Sequence, residues 1–545
     1  MPGVPGLVRQ EESGRGGMAP ARIPAVGGAT GAVARAGTER AGRRWIVTGA
    51  LAFAVVFFGT APSLPRGLAS WDNTVKVQVA RNILRGVGPI LTEPTPDDGQ
   101  YVLEGRRGHH YSHYPLLASV LHFVTVGVEA VGGPLREGLP ATILLGLVAW
   151  ALVAWARRSG ASPPAAAVGA VLTCLGTALW PFAAYGYDNL VEVLALALIL
   201  WAGAGAERRR AWLWAGLAVG LAYATRLGAM FLVVPAAILL PVQAPRGLRP
   251  TLRRGTEFVL GCVPGLALTL YYNYLRFGDP FGWGARPVDL GPVANMFVPW
   301  FSTQHWEAIA GLTISPGKGL LWYGPPLIGV ALLTPPLVRR QRAAFAALAA
   351  YAVVALLCLG RLTFWHGDWA WGPRYLAPLY LAVAPLAWWV WEQVEPRGSR
   401  ARAAAAVALF VAIAFQALPI VGHGVSTYVS GTVRPLWQSG ALATPDLDRP
   451  PVPADNRLLY FRVENSPIVS LMRSLPAQIS DTQATSQTVG GLRLTMSNGW
   501  QRIARLVLCL VAPVLGLVFV RFTRRRFAHD AAVEAGTCGS RSPAS

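Results

Sequence analysis

"NLVEVLALALILWAGAGAERRRAWLWAGLAVGLAYATR", residues 189–226, sets two apolar runs, 189–205 and 211–225, on either side of an arginine cluster at 208–210. Each run approaches the ~20 residues that a helix needs to cross the hydrocarbon layer of a bilayer. Basic connections stay on the cytoplasmic side, so the arginines place the turn inside and put Asp188 and Arg226, at the two open ends, outside. The stretch is a membrane hairpin.

The same alternation runs through all 545 residues, of which 53% are hydrophobic and only 14% charged, against the roughly 25% charged residues of soluble domains. Apolar runs recur at 45–62, 140–156, 165–181, 189–205, 211–225, 228–241, 257–275, 319–337, 343–359, 374–391, 403–421 and 502–520. The fold expected is an all-α polytopic membrane protein with about 12 transmembrane helices. Arg246, Arg249, Arg253 and Arg254, then Arg339, Arg340 and Arg342, then Arg524, Arg525 and Arg526 fall in alternate connections. The net charge of +21 therefore sets topology and does not point to nucleic acid. Both termini are expected in the cytoplasm of a cell-membrane protein. Because Arg157 and Arg158 belong inside, the apolar stretch 115–131 is expected to lie on the outer face, or dip into it, without crossing.

Four parts follow from this layout: a Gly-, Ala- and Arg-rich tail at 1–44 that composition marks as disordered, a transmembrane core at 45–421 with an outer loop at 63–139, an external segment at 422–500, and a last span with a basic tail at 501–545. Cys174, Cys262, Cys358 and Cys509 fall in expected spans and Cys538 in the tail, so no disulfide framework is visible.

The chemically varied side chains gather on the outer side: Asp72, Lys76, His109, His110, His113, Asp188, Arg226, Asp279, Lys318, His366, Asp368 and Arg374. Lysine occurs only at 76 and 318. In "SWDNTVKVQVARNILRG", residues 70–86, Trp71, Val75, Val79 and Ile83 recur every four positions, predicting an amphipathic interfacial helix capped by Ser70. Asp72 suits the first turn of such a helix and can pair with Lys76 one turn on, or it can serve chemistry. Three histidines at 109, 110 and 113 fit a solvated loop better than a metal site, which needs ligands from further along the chain and a helix or strand to set their spacing. Glu192, one turn into an apolar helix on the face of Asp188, is a functional candidate, because a carboxylate inside a membrane needs a cavity or a partner. Arg226 runs against the charge rule and is suited either to a phosphate or to lipid head groups. "SPGKG" at 315–319 is either a plain turn or an anion site built from backbone N–H groups and Lys318.

"FWHGDWAWGPRYLAPLYL", residues 364–381, joins Trp365, Trp369 and Trp371 to His366, Asp368 and Arg374 at the outer mouth of a helix. Interfacial anchoring accounts for the tryptophans alone. Flat rings beside hydrogen-bonding groups suit a sugar, and an arginine at the membrane surface suits a lipid-linked phosphate.

These residues resemble the C-type glycosyltransferase superfamily, which includes protein O-mannosyltransferases and the lipid A aminoarabinose transferase. Asn273–Pro280 (NYLRFGDP), Ser315–Leu320 (SPGKGL) and Trp371–Leu376 (WGPRYL) are similar to motifs of a bacterial branch of that group, over roughly residues 45–421. The resemblance implies inverting transfer of a sugar from a polyprenyl-phosphate donor at the outer face. It implies an aspartate base after the first span, here Asp72, followed by Asn73 where the family often has a second acid. Where the family often has a lysine before the proline of the next outer helix, this chain has His113. With Arg226, Lys318 and Arg374, His113 makes the expected donor-phosphate set; Trp369, Trp371, His366, Asp368, Asp188 and Glu192 are the candidates for sugar and acceptor. No metal or other cofactor is implied, and the partners expected are the lipid-linked donor, membrane lipids, and a lipid, glycan or protein acceptor. The competing reading is a transporter or flippase for an anionic lipid, which uses the same cations and needs no carboxylate at 72.

Overall fold

A computed structural model of the protein describes residues 28–65, 67, 70–93, 102–205, 210–242, 247–282, 297–367, 369–422, 424–442, 453–480, 486–489 and 492–495, with positions 507 and 511. Apart from positions 507 and 511, the expected last span and basic tail lie outside the described residues, as does Asp368.

The helices follow the apolar runs: α1 (Gly28–Thr60), α2 (Trp71–Leu84), α3 (Leu116–Val120), α4 (Phe123–Ala130), α5 (Leu139–Arg158), α6 (Pro163–Leu175), α7 (Leu179–Ala184), α8 (Leu190–Gly203), α9 (Ala211–Tyr223), α10 (Val233–Val242) and α11 (Leu248–Phe277). Further helices cover Thr303–Ile314, Leu320–Tyr323, Pro326–Leu332, Thr334–Leu359, Val383–Val394 and Ser399–Val421. Strand structure among the described residues is confined to two antiparallel pairs, Val102–Glu104 with His110–Ser112 and Ser486–Val489 with Leu492–Thr495. Among the described residues, five segments are long and apolar enough to cross a membrane: Gly42–Ser63, Leu139–Arg158, Leu248–Phe277, Thr334–Leu359 and Ser399–Val421. The chain is an all-α polytopic membrane protein.

Several expected spans are broken, and the breaks have local causes. The run 165–181 splits into α6 and α7 around Gly176. The run 319–337 divides at Gly324 and Pro325, where proline supplies no N–H to continue the ladder. The run 374–391 begins as a 3-10 helix over Arg374–Ala382, with Pro378 inside it, before becoming α-helical. The stretch 115–131 forms only α3 and α4, broken at Leu121 and His122, and each piece is far too short to span. Helix α1 begins at Gly28, inside the tail that composition marks as disordered; alanine and arginine are both good helix formers.

One hydrophobic core joins α5 to α9, the 3-10 segment at 374–382 and the helices on either side of it, with Trp155, Trp180 and Trp371 wholly inside. Helices α9 and α11 cross at two small-residue steps. A Cβ at Gly216 or Gly220 of α9 collides with the backbone of Phe258 or Cys262, and a Cβ at Gly261 or Gly265 of α11 collides with the backbone of Leu213 or Gly220. Glycine at i and i+4 on both helices lets the two backbones touch, which is how apolar helices gain contact where lipid removes the hydrophobic driving force.

Helix α2 starts where expected, with the Ser70 hydroxyl accepting from the Asn73 N–H at 3.2 Å. Its burial is wider than the stripe Trp71–Val75–Val79–Ile83 predicts. Val75 and Val79 pack with Leu91, Val77 and Ala80 pack with Val126, and Asn73, Lys76, Gln78 and Asn82 are buried as well. Buried polar groups need partners, and those partners define the site.

Candidate active site

Asp72 and Lys76 sit one turn apart on α2, the spacing and order at which an isolated helix would pair them. They do not pair in the folded chain. The Lys76 ammonium, only 3% exposed, donates to Asp188 Oδ2 at 2.9 Å and lies 4.2 Å over the Tyr114 ring. Asp188 precedes α8 and Arg226 follows α9, so both stand at the end of that hairpin away from its 206–210 connection. Arg226 donates through Nη1 to Asp188 Oδ1 at 2.5 Å and through Nε to Glu192 Oε1 at 3.3 Å. Burial pushes the Asp188 carboxyl up, and Lys76 and Arg226 outweigh it, holding it well below the usual carboxylate range.

Arg374 closes the arrangement from the other side. It opens the 3-10 segment and lies across Gly367, which has φ +63°; a Cβ there would stand 3.0 Å from Arg374 Cγ and Nε. Glycine suits this place twice over, by its left-handed backbone and by the space it leaves. Arg374 Nη1 is 3.6 Å from Asp72 Oδ2, an ion pair too long for a hydrogen bond. Its guanidinium faces Tyr187 at 5.1 Å and Tyr375 at 5.3 Å, and Arg226 meets the same Tyr375 ring at 5.8 Å. Asp72, Asp188 and Glu192 thus stand among Lys76, Arg226 and Arg374, three carboxylates with three cations. Within the cluster the Asp72 and Arg226 side chains keep 17% and 19% of their surface, whereas Lys76, Asp188 and Glu192 are closed off.

His113 stands at the edge of this group. Its ring reaches solvent, yet the protein crowded around it pushes its pKa below the ordinary value, with Arg276 adding to the effect and Asp72 opposing it. Arg276 is anchored by donating to the Ser112 carbonyl at 2.8 Å and to Asn273 Oδ1 at 2.6 Å, which fixes the motif 273–280 beside the His113 turn. Asn73, next to Asp72, donates to Glu137 Oε2 at 3.1 Å and to the Tyr185 carbonyl at 3.2 Å. A buried carboxylate 64 residues away is thus tied to the first turn of α2.

Other candidates form a second cluster, and all of it but Trp369 is buried. Lys318 is wholly buried; its ammonium donates to the Ala370 carbonyl and lies 5.6 Å from the centre of the Tyr460 ring. The N–H groups that an anion would need are used internally: Lys318 N–H goes to Ser315 Oγ, Gly319 N–H to the Ser315 carbonyl, and Gly317 N–H to the Tyr460 carbonyl. The 315–319 loop is a turn packed under residue 460, not an open anion nest. His366 is also wholly buried, stacked on Tyr460 at 5.0 Å and edge-on to Trp365. Trp365 packs against Tyr460 at 5.6 Å, and Trp371 meets Tyr323 edge-on at 5.0 Å, so both are core residues and not interfacial anchors. Trp369 is half-buried against Tyr428 at 6.1 Å. Among the described contacts, Lys318 shares none with Arg226 or Arg374.

The structure therefore brings together Asp72, Asp188, Glu192, Arg226 and Arg374, with His113 beside them, and buries Lys318, His366 and Trp371. Lys76, taken from sequence only as a partner for Asp72, belongs to the first group. Its rarity as one of two lysines was the signal available. Among the described residues, no three of His, Cys, Asp and Glu gather as metal ligands.

No protein-family model and no curated protein matches this chain. In shape it is similar to two crystal structures of ArnT from Cupriavidus metallidurans. The one bound to undecaprenyl phosphate has a TM-score of 0.45 and 17% identity, covering 95% of this chain and 82% of that one. The one in the apo state has a TM-score of 0.45 and 16% identity, covering 87% and 77%.

Proposed function

We propose that the protein is a membrane glycosyltransferase that moves a sugar from a polyprenyl-phosphate donor to an acceptor at the outer face of the membrane, by a single inverting displacement with Asp72 as base. The observation that carries this reading is a partly accessible carboxylate, Asp72, standing beside Arg374 in a cluster that also holds Arg226, at one end of a bundle of apolar helices.

The chemistry needs two things at one place. An acceptor hydroxyl must lose a proton as it attacks the anomeric carbon, and a carboxylate that is not already donor-saturated accepts it. The bond between the anomeric carbon and the phosphate oxygen breaks on the opposite face, and the departing polyprenyl phosphate gains negative charge on that oxygen. Arg374 and Arg226, already fixed by aromatic and carboxylate neighbours, stabilise this charge without reorganising. His113, with a lowered pKa, contributes to the phosphate as a neutral hydrogen-bonding group more than as a cation. Trp369, half-buried on the same stretch as Arg374, offers its ring face to the sugar or acceptor.

The test is turnover. Purified protein in detergent, offered a panel of polyprenyl-phosphate sugars, is expected to release free polyprenyl phosphate and form a product of inverted anomeric configuration. Movement of the lipid between leaflets of a vesicle with no sugar transfer would replace this reading with the flippase one. In intact cells, cysteines placed at 368 and 250 are expected to react with an impermeant thiol reagent at 368 alone; labelling at 250 would reverse the topology.

A further inference from the structure

Lys76 has two acids within reach of its place in the fold, and it takes the one that is distant in sequence. Asp72 precedes it by four residues, the favoured orientation for a helical ion pair. Asp188, 112 residues away, holds it at 2.9 Å instead. Asp188 is the better host because it is buried between two cations, Lys76 and Arg226, with Glu192 sharing the second. The consequence falls on Asp72. Among the described residues its carboxylate pairs with Arg374 at 3.6 Å and with no ammonium. A lysine hydrogen-bonded to Asp72 would take one of its acceptor sites and favour its charged form, which makes it a poorer acceptor for the proton.

We propose that Asp188 is a positioning residue: it holds the Lys76 ammonium away from Asp72, one helical turn off, and so leaves Asp72 open to accept a proton. Asp188 acts through Lys76 and touches neither sugar nor acceptor in this role. The proposal rests on the reading of Asp72 as the base, but the geometry it asserts is measurable without turnover.

A membrane-permeant carbodiimide joins an amine to a carboxylate only where the two are in contact, and mass spectrometry locates the resulting isopeptide bond. The unaltered protein is expected to give a 76–188 link, and Asp188→Asn a 76–72 link. A predominant 76–72 link in the unaltered protein, or none in a folded Asp188→Asn variant, overturns the proposal. Measuring the unaltered protein keeps the test decisive even where the variant fails to fold.

Turnover supplies the second arm. Asp188→Asn is expected to lower kcat by about 10²-fold with little change in donor KM, the signature of a compromised base. Adding Lys76→Gln to that variant is expected to recover at least about tenfold of the loss, because the competing ammonium is gone. A merely structural Asp188 gives no such rescue, since a second deletion in a buried ion cluster deepens the damage. Rescue absent while Asp72→Asn abolishes turnover sinks the positioning role alone. Correct crosslinks in a protein that transfers no sugar sink the enzyme reading alone.

Discussion

Two clusters of this molecule are built from the same kinds of residue and behave as opposites. Around Asp72, lysine, arginine and carboxylate side chains meet one another, and part of the cluster remains accessible. Around Lys318, the lysine, His366, Trp365 and Trp371 meet a backbone carbonyl and the rings of Tyr460 and Tyr323, and all four are buried. The difference lies in what satisfies each polar group. A cation answered by a side-chain carboxylate can exchange that partner for a ligand's phosphate. An ammonium bound to a backbone carbonyl under an aromatic ring belongs to the packing and costs stability to expose.

The sharpest way to break the contrast is at Asp72. Asp72→Asn keeps the size and hydrogen-bonding shape of the side chain but cannot accept the acceptor's proton. The expected loss is about 10²–10⁴ in kcat with donor binding retained. Measured by single-turnover kinetics and by donor binding, near-normal turnover would remove Asp72 from the mechanism and shift attention to Glu192.

Next comes Arg374. Arg374→Gln removes one charge-assisted contact to the donor's phosphate, expected to cost about 1.5–3 kcal/mol of donor affinity. Titration of the purified variant with a polyprenyl phosphate reads the change, and unchanged affinity would reassign Arg374 to holding Asp72 in place.

Lys318→Met tests the buried cluster. It keeps the unbranched shape and most of the length of the side chain and leaves the Ala370 carbonyl without this donor, an expected loss of about 1–3 kcal/mol in stability. The effect should appear in thermal unfolding and not in donor affinity. A drop in affinity with an unchanged melting temperature would mean that the segment ending at Tyr460 lifts to admit the donor, and the two clusters would then be one site.

Much of the candidate site was visible in the chain. Asp72, Asp188, Glu192, Arg226 and Arg374 stand out because charge is scarce in an apolar sequence and these charges fall at the ends of runs. Their grouping was not visible. Lys76 looked like the partner of Asp72, since the local rule joins residues four apart, and a tertiary contact 112 residues away overrides that rule. Lys318 looked like a phosphate ligand because glycine and serine around a lysine suggest open N–H groups. The fold uses those groups on Ser315 and Tyr460. Trp371 is a sugar or acceptor candidate by sequence and Trp365 fits a surface anchor, and both are core because distant residues pack on them, Tyr460 and Phe461 on Trp365 and Tyr323 and Phe415 on Trp371.

Hydropathy settled by itself that this is a helical membrane protein, and where most of its described helices run. The cause is local: a backbone in lipid must satisfy its own hydrogen bonds, so the described apolar runs are helical, broken only where glycine, proline or a 3-10 turn intervenes. Which helix ends meet, which carboxylate takes which cation, and whether a lysine faces a ligand or a carbonyl were decided only in three dimensions. Those choices are competitions among partners tens to hundreds of residues apart, such as Asp72 and Asp188 for Lys76, and their outcome depends on distance and burial that no local pattern encodes.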